Sequence, residues 1–199
     1  MRGTMLGDAR IECRSKGIRA SYTARFRVHH GDKQKEYVWW KYEMLKDLVS
    51  CEPREIIWLN KKRNLKEVSW YFHTKSLKNF GIIHEIFYKN GVKKFPTEIL
   101  PIFSPQMLAV WYMDDGSNNH GDVTLSTHSF SLENQHIIAD FLKEKYQINP
   151  TIVKDRNQWK IAIGRNDYDR FISIVSPFIP KVMNYKIDNP RIDLSMKTE

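Results

Sequence analysis

Residues 108–116 have the sequence Leu-Ala-Val-Trp-Tyr-Met-Asp-Asp-Gly, an apolar run that ends in two acids and a glycine. Pro105 suits the first position of a helix and Gly116 suits its end, so the stretch predicts a helix of about two turns. Acids at a helix C-terminus lie at the negative end of the helix dipole, which costs roughly 0.3–1 kcal/mol each. We therefore expect a cation beside Asp114 and Asp115.

A second stretch of the same kind opens the chain. Residues 1–9 have the sequence Met-Arg-Gly-Thr-Met-Leu-Gly-Asp-Ala, which is mostly apolar and ends near an acid. Gly3 and Gly7 fall on one helix face, where they would let a second backbone approach closely. If the two helices pack side by side, Asp8 and Asp115 arrive at one end of the pair. A helix this short is marginal alone, so this packing must hold it.

This nine-residue pattern resembles the LAGLIDADG motif of homing endonucleases. Residues 108–116 match the motif at its first two and last two positions, whereas residues 1–9 match it more loosely. The resemblance is to the single-chain, two-motif members that introns encode, and it covers nearly the whole chain. It includes Trp-Tyr-Met-Asp-Asp-Gly at 111–116, Thr-Leu-Ser-Thr-His-Ser-Phe-Ser at 124–131 and Pro-Lys-Val-Met-Asn-Tyr-Lys at 180–186.

The resemblance implies an α+β fold of two pseudo-symmetric αββαββα halves. Their antiparallel sheets would form a saddle, with the two motif helices packed at the centre. We expect the halves to be residues 1–103 and 104–199. The hydrophobic periodicity agrees with this organisation, because it predicts helix, hairpin, helix, hairpin and helix in each half.

The periodicity also places the individual elements. In the first half we expect strands 10–14 and 22–29 around a turn at 15–17, helix 34–49, strands 55–62 and 67–74, and helix 76–90. That last helix is expected to end at Asn90 and Gly91, because glycine commonly ends a helix. In the second half we expect hairpin 117–128, helix 131–146, strands 150–155 and 158–163, and helix 166–175.

Alternation within the strands separates a buried face from an exposed one. In the first strand pair the residues expected in the core are Ile11, Cys13, Ala24, Phe26 and Val28. The second hairpin is expected to point Ile57 and Leu59 inward. Helix 34–49 is expected to bury an apolar stripe formed by Tyr37, Trp40, Met44, Leu45 and Leu48.

Arginines dominate the exposed face of the first strand pair. A two-stranded ribbon of this kind fits the DNA major groove, where arginine can pair bidentately with guanine. The alternative is an ordinary solvated sheet face. The residues predicted to contact DNA are Arg10, Arg14, Thr23, Arg25, Arg27, His29, Trp58, Asn60, Lys62, Tyr71, His73, Thr124, Ser126, His128, Lys154, Arg156 and Lys160.

The composition favours a polyanionic partner inside a cell. The 199-residue chain has a net charge of +9, and residues 1–100 hold 21 Lys and Arg against 11 Asp and Glu. Cys13 and Cys51 are the only cysteines, so a reducing compartment is expected. This would be an organelle (mitochondrion or chloroplast) or a bacterial cytoplasm. No apolar run approaches the ~20 residues of a membrane span, so no membrane partner is expected.

The chemistry follows from the two acids. Hydrolysis of a phosphodiester needs an activated water and stabilisation of the departing oxygen, which two divalent ions held by carboxylates can supply. Asp8 and Asp115 are the predicted metal ligands and catalytic acids. Hard oxygen ligands favour Mg²⁺ over Zn²⁺; we expect Mn²⁺ to substitute and Ca²⁺ to support binding only. The resemblance adds the carbonyls of Gly7 and Asp114 as metal ligands.

Two lysines complete the predicted catalytic set. Lys93 lies three positions before Pro96, and Lys186 lies in the Met-Asn-Tyr-Lys segment. In related single-chain enzymes, lysines at such positions reach into the active site. There they could steer water or neutralise the transition state.

Three functions remain open at this point. The first is a monomeric, Mg²⁺-dependent homing endonuclease that makes a double-strand break in a long, asymmetric DNA target. The second is an intron-encoded maturase, which would bind its own intron RNA and assist splicing without using the acids. The third is a DNA-binding protein with no activity. The presence of both Asp8 and Asp115 favours the endonuclease.

Overall fold

The computed structural model describes residues 1–15, 21–119 and 121–188. Most of the turn predicted at 15–17 and the centre of hairpin 117–128, at residue 120, lie outside the described residues. The chain forms two compact units, which we call the N-terminal unit (Asp8–Tyr88) and the helix-pair unit (Met1–Gly7 with Lys89–Glu199). The division into halves 1–103 and 104–199 follows the repeated order of elements and stays a prediction.

The elements occur in the expected order, and the predicted α+β class is confirmed. The first series is α1 (Arg2–Leu6), β1 (Arg10–Cys13), β2 (Ala24–Gly31), α2 (Lys35–Glu43), β3 (Arg54–Asn60), β4 (Leu65–His73) and α3 (Lys78–Phe87). A short hairpin of β5 (Tyr88–Lys89) and β6 (Val92–Lys93) follows. The second series is α4 (Pro105–Asp115), β7 (Gly116–Asn118), β8 (Val123–Leu125), α5 (Leu132–Tyr146), β9 (Thr151–Asp155), β10 (Gln158–Ile163) and α6 (Arg165–Val175).

The N-terminal unit is an antiparallel sheet covered on one face by helices. Its strand order is β1-β2-β4-β3. Helix α2 packs on β2 and β4, and α3 packs on β1 and β2. Phe26 and Phe80 stack with ring centroids 6.4 Å apart, and both are fully buried or nearly so. Burial of each such ring contributes roughly 1.5–3 kcal/mol, so this face forms the core of the unit.

Two predictions about this core are wrong. Helix α2 ends at Glu43, where a 3₁₀ turn at Lys46–Leu48 follows, so it is shorter than the expected 34–49. Met44 therefore lies beyond the helix and is 60% exposed. Ile57 and Leu59 are 60% and 52% exposed, because β3 is an edge strand and α2 packs on β2 and β4 instead.

The predicted end of helix 76–90 is also wrong. Helix α3 ends at Phe87, and the chain continues into β5. Asn90 and Gly91 form the turn between β5 and β6, with φ angles of +53° and +77°. Positive φ at both central residues is what a tight hairpin turn requires, and Asn-Gly is its preferred sequence.

The helix-pair unit repeats the same sheet topology. Its strand order is β7-β8-β10-β9, and α5 and α6 pack on β10. Helix α1 packs on α4, which also packs on α6. Tyr112 and Phe171 meet edge to face with ring centroids 5.0 Å apart. No helix among the described residues is long and apolar enough to span a membrane.

Both ends of α4 follow the predicted signals. The Ser104 hydroxyl accepts a hydrogen bond from the Met107 backbone N–H at 3.2 Å, and Pro105 occupies the first turn. Gly116 ends the helix in an extended conformation, with φ of −87°. A Cβ atom at Gly116 would lie 1.9 Å from the ring of Tyr112. Glycine is therefore required there by packing rather than by a left-handed backbone.

Candidate functional site

The two motif helices α1 and α4 pack at close range, as Gly3 and Gly7 predict. A Cβ atom at Gly3 would lie 2.6 Å from the carbonyl oxygen of Met107. One at Gly7 would lie 2.4 Å from the Cβ of Asp114. Real side chains do not tolerate such distances, so both glycines are required by the approach of the helices.

Asp114 belongs to this helix contact. Its side chain is buried, and the Thr4 hydroxyl donates a hydrogen bond to its Oδ2 atom at 2.6 Å. Asp115, the next residue, is only half-buried and ends α4. The Asp114 carboxylate thus has a partner in α1, and Asp115 is the last residue of α4.

The predicted lysines lie at the C-terminal ends of the motif helices. The Lys93 ammonium donates a hydrogen bond to the carbonyl of Gly7 at 2.5 Å, and that of Lys186 donates to the carbonyl of Gly116. The Tyr112 hydroxyl in turn donates to the Lys186 carbonyl. Burial raises the pKa of Tyr112, so this hydroxyl keeps its proton. Cations at these helix ends are electrostatically favourable. Lys186 places one at Gly116, the residue that follows Asp115.

Asp8 lies at the start of the N-terminal unit, beside a buried histidine and lysine. Its side chain is 42% exposed, and its Oδ2 atom lies 3.4 Å from Nδ1 of His30. The Lys41 ammonium nitrogen lies 2.9 Å from Nε2 of His30. His30 and Lys41 are 5% and 3% exposed.

Sequence reasoning missed both His30 and Lys41, although the signals were present. His30 continues the inward alternation of Phe26 and Val28 along β2. Lys41 follows the buried Tyr37 by four positions, which places it on the same face of α2. A histidine and a lysine at positions that the periodicity assigns to the core indicate a buried polar site.

The exposed face of β1 and β2 carries what we call the arginine cluster: Arg10, Arg25 and Arg27 around Glu12. The Glu12 carboxylate binds their guanidinium groups at 2.6, 3.0 and 3.0 Å respectively. Burial alone would raise the pKa of Glu12, but the hydrogen bonds from the arginines outweigh it and lower the pKa to about 2. Strand alternation does not predict that Glu12 binds these arginines.

The rest of this face brings together three more of the residues predicted to contact DNA, namely His29, Tyr71 and His73. Arg27 pairs across the ladder with His73, and His29 pairs with Tyr71. Arg27 also stacks over the Tyr71 ring at 5.1 Å. Burial, followed by the charges of Arg27 and Arg10, lowers the pKa of His29, so the imidazole adds little positive charge at neutral pH.

Five predicted contacts lie on or near the hairpin tip and the strand ends. Trp58 and Asn60 of β3 pair with Glu67 and Leu65 of β4, and all four lie on the outward face of the sheet. The Asn60 amide donates a hydrogen bond to the Glu67 carboxylate at 2.7 Å. Arg14 and Lys62 are exposed beyond the ends of β1 and β3. Thr23 is half-buried, and its hydroxyl accepts a hydrogen bond from the Ser15 backbone.

The second sheet carries a smaller basic group, also organised by an acid. Lys160 and His128 bind the Asp155 carboxylate at 2.9 and 3.3 Å, and hydrogen bonds first from Lys160 and then from His128 lower its pKa. Thr124 is half-buried and Ser126 exposed on this side.

Two predicted residues of the last hairpin are placed differently. Lys154 pairs with Trp159, and its ammonium lies 6.0 Å from that ring, so it faces away from Lys160. Arg156 is exposed in the turn, with a φ of +57°.

The fold and these residues define a protein with paired LAGLIDADG helices and two basic sheet faces. Residues 1–171 match the LAGLIDADG DNA endonuclease family, so the chain belongs to that family, and the prediction made from the motif is confirmed.

The relatives are similar over nearly the whole chain. The DNA endonuclease I-ChuI of Chlamydomonas applanata is 29% identical over 94% of this chain and 92% of its own length. The cytochrome b mRNA maturase bI2 of Debaryomyces hansenii is 26% identical over 95% of this chain and 72% of its own. A solved structure of the homing endonuclease I-WcaI bound to its DNA recognition sequence superposes with a TM-score of 0.84. It is 25% identical and covers 94% of this chain and 83% of that one.

Proposed function

We propose that this protein is a homing endonuclease that makes a Mg²⁺-dependent double-strand break in a long, asymmetric DNA target. The observation that carries the proposal is the pair of motif helices α1 and α4. Helix α1 packs on α4 through Gly3 and Gly7. The chain runs from α1 into Asp8, and α4 ends at Asp115. The similarity to I-ChuI and to DNA-bound I-WcaI supports this function.

The chemistry of the donor atoms fits a magnesium ion. The Asp8 and Asp115 carboxylates and the carbonyl of Asp114 would supply the hard oxygen ligands that Mg²⁺ prefers. The Gly7 carbonyl, the fourth predicted ligand, accepts a hydrogen bond from the Lys93 ammonium, so a metal ion would have to share that oxygen. Asp8 is 42% exposed and so can reach a hydrated ion. The ion would supply an activated water and stabilise the departing oxygen. Mn²⁺ offers similar chemistry, whereas the looser coordination of Ca²⁺ suits binding without cleavage.

Lys93 and Lys186 would stabilise negative charge on the phosphate rather than bind the metal ion. Lys93 and Lys186 hold their ammonium groups at Gly7 and Gly116, one beside each motif end. A positive charge held in that position stabilises the negative charge that develops on the phosphate in the transition state. Their hydrogen bonds to backbone carbonyls fix the ammonium groups before the substrate arrives.

The sheet faces would bind the DNA. The outward face of β1, β2, β4 and β3 carries the arginine cluster together with His29, Tyr71 and His73. Arginines on an antiparallel ribbon can contact base edges in the major groove. The two faces differ in their residues, so a monomer would read a target whose halves differ. The free thiols of Cys13 and Cys51 are consistent with a reducing compartment.

A maturase remains the second candidate, and one observation favours it. The chain is 26% identical to the Debaryomyces hansenii maturase over 95% of its length. Binding of structured RNA would use the same basic faces, since both ligands present phosphates. It would not require Asp8 or Asp115.

The test is digestion of a randomised double-stranded DNA library with the purified protein and Mg²⁺, followed by sequencing of the ends. Enrichment of one cut sequence, absent when EDTA replaces Mg²⁺, supports the proposal. No cleavage in Mg²⁺ or Mn²⁺, together with specific binding of a structured intron RNA, overturns it in favour of the maturase.

A further inference from the structure

A closed circuit of hydrogen bonds surrounds the end of the second motif. The Tyr112 hydroxyl donates to the carbonyl of Lys186, and the Lys186 ammonium donates to the carbonyl of Gly116. The Gly116 backbone N–H in turn donates to the carbonyl of Tyr112, one helical turn earlier. All three residues belong to the helix-pair unit, so the circuit connects α4 and its end to the segment that carries Lys186.

Tyr112 is the rigid member of this circuit. Its side chain is fully buried, and its ring meets that of Phe171 edge to face at 5.0 Å. The ring also lies against Gly116, where an added Cβ atom would come within 1.9 Å of it. Because packing on these sides leaves the ring little freedom, its hydroxyl points in a fixed direction. Tyr112 therefore offers a donor whose position is set by the core.

The segment that carries Lys186 is held less firmly. It is a 3₁₀ turn at Lys181–Lys186, of which Met183 is the buried residue, while Tyr185 is 53% exposed. The last carbonyls of a helical turn have no partner within the turn. The Tyr112 hydroxyl supplies a hydrogen bond to one of them, the carbonyl of Lys186. A lysine ammonium sits on a flexible stem, so its position depends on where the backbone is held.

The first motif carries a different residue at the position that matches Tyr112. Tyr112 is the fifth residue of the stretch 108–116, and Met5 is the fifth residue of the stretch 1–9. Methionine has no hydroxyl, yet the Lys93 ammonium reaches the Gly7 carbonyl at 2.5 Å. The two lysines are thus held by different means. Loss of the Tyr112 hydroxyl should therefore affect Lys186 and leave Lys93 in place.

We propose that Tyr112 is a positioning residue, whose hydroxyl holds Lys186 so that its ammonium is fixed at the second motif end for cleavage of one of the two DNA strands. The proposal rests on the proposed function, in which one lysine lies beside each motif end. A double-strand break has two scissile phosphates, so each lysine would serve one of them. A displacement of about 1 Å at a catalytic site can cost roughly 100-fold in rate.

The test compares Tyr112→Phe with Tyr146→Phe. Phenylalanine keeps the ring that packs on Phe171 and removes one oxygen atom, so the fold should survive. Tyr146→Phe is the matched control, because it removes a buried hydroxyl of the same unit that has no hydrogen-bond partner among the described residues. The assay is single-turnover cleavage in Mg²⁺ of the duplex that the library digestion identifies, with a separate label on each strand.

The expected result is an unequal loss of cleavage. Tyr112→Phe should cut one strand roughly 10–100-fold more slowly than the parent and the other strand at the parent rate, so nicked DNA accumulates. Tyr146→Phe should cut both strands at the parent rate. Both variants should bind the duplex in Ca²⁺ like the parent. A merely structural role of Tyr112 would instead slow both strands alike.

A double variant tests whether Tyr112 acts through Lys186. Lys186→Met should slow the same strand as Tyr112→Phe. The addition of Tyr112→Phe to Lys186→Met should then cause no further loss, because the effects of two residues that act through one group do not add.

Crystal structures of the parent and of Tyr112→Phe without DNA give a readout that does not need cleavage. We expect the Nζ atom of Lys186 to lie within hydrogen-bond distance of the Gly116 carbonyl in the parent and beyond it in Tyr112→Phe. An ammonium that stays on Gly116 in Tyr112→Phe overturns the inference, whatever the protein cuts.

The cleavage outcomes separate this inference from the proposed function. Parent-like cleavage of both strands by Tyr112→Phe overturns the inference, while the endonuclease function stands. Equal slowing of both strands also overturns it, as does a double variant that is slower than Lys186→Met. A parent that cuts no DNA overturns the proposed function and, with it, the cleavage role of Tyr112, whereas the crystal structures still show whether Tyr112 holds Lys186.

Discussion

Replacing Glu12 by glutamine removes the carboxylate that Arg10, Arg25 and Arg27 share, while the shape of the side chain is kept. The arginines lower the pKa of Glu12 from 4.5 to about 2. Each pKa unit corresponds to about 1.36 kcal/mol, so the full effect would be roughly 3.4 kcal/mol. The Glu12 side chain is 21% exposed, and its partner Arg10 is 58% exposed. Because solvent screens such pairs, we expect a loss of about 1–2 kcal/mol in Glu12→Gln.

The stabilisation by Glu12 should depend on pH in a defined direction. The pKa of Glu12 is lower in the folded protein, so the stabilisation is fully present above its unfolded value of 4.5. It is lost as the pH falls from about 4.5 through about 2. The difference in free energy of unfolding between the parent and Glu12→Gln should therefore be largest at neutral pH and disappear in strong acid.

DNA binding should change in the opposite direction. The arginine cluster would gain net positive charge, so the affinity for random DNA should rise and its log–log salt slope should steepen by up to about 0.9. Discrimination between target and random DNA should fall, because the guanidinium groups lose the carboxylate that orients them. The assays are urea unfolding at several pH values and DNA titrations at several salt concentrations.

Glu43→Gln is the matched control, because Glu43 is an exposed acid of the same unit with one lysine partner. It should unfold and bind like the parent. Equal stability of Glu12→Gln and the parent at neutral pH would refute the reasoning about the cluster. Unchanged or weaker binding of random DNA would refute the claim that the cluster faces DNA.

Three further outcomes are expected. Arg25→Ala and Arg27→Ala should each relax the preference at one or two base pairs and cost roughly 1–3 kcal/mol; parent-like discrimination by both would exclude this sheet face. DNA affinity should fall steeply with salt, since residues 1–100 hold 21 basic residues against 11 acids. A slope near zero in a plot of log affinity against log salt concentration would exclude nucleic acid as the ligand. Gly3→Ala should lower the free energy of unfolding by about 1–3 kcal/mol, because its methyl group would meet the Met107 carbonyl. Gly31→Ala, which meets nothing within 4 Å, should be nearly neutral, and equal stability of the two would contradict the close helix contact.

The regular elements could be predicted because their periodicity is strong. The alternation of Phe26 and Val28 with arginines identified the first strand pair, and both series of elements follow the expected order. The two motif stretches predicted the pairing of α1 with α4, and Gly3 and Gly7 predicted that it would be close. These signals are local or nearly so, and a single sequence contains them.

The wrong predictions concern positions whose conformation or burial depends on tertiary packing. Asn90 and Gly91 suit both a helix end and a hairpin turn, and only the pairing of β5 with β6 distinguishes them. Ile57 has the alternation of a core residue, but its edge strand leaves it exposed. The partners of Glu12 and the contact of Lys41 with His30 depend on side-chain directions that periodicity does not specify.

In the proposed function, Asp8 and Asp115 hold the metal ions for DNA cleavage. The most direct measurement is a cleavage assay in Mg²⁺ and a binding assay in Ca²⁺ on the parent, Asp8→Asn and Asp115→Asn. We predict that each variant loses double-strand cleavage but keeps its fold, and that it binds DNA at least as tightly because a negative charge near phosphate is removed. Full cleavage by either variant would end the assignment of that acid. Inactive parent protein that binds structured intron RNA would contradict the endonuclease account as a whole.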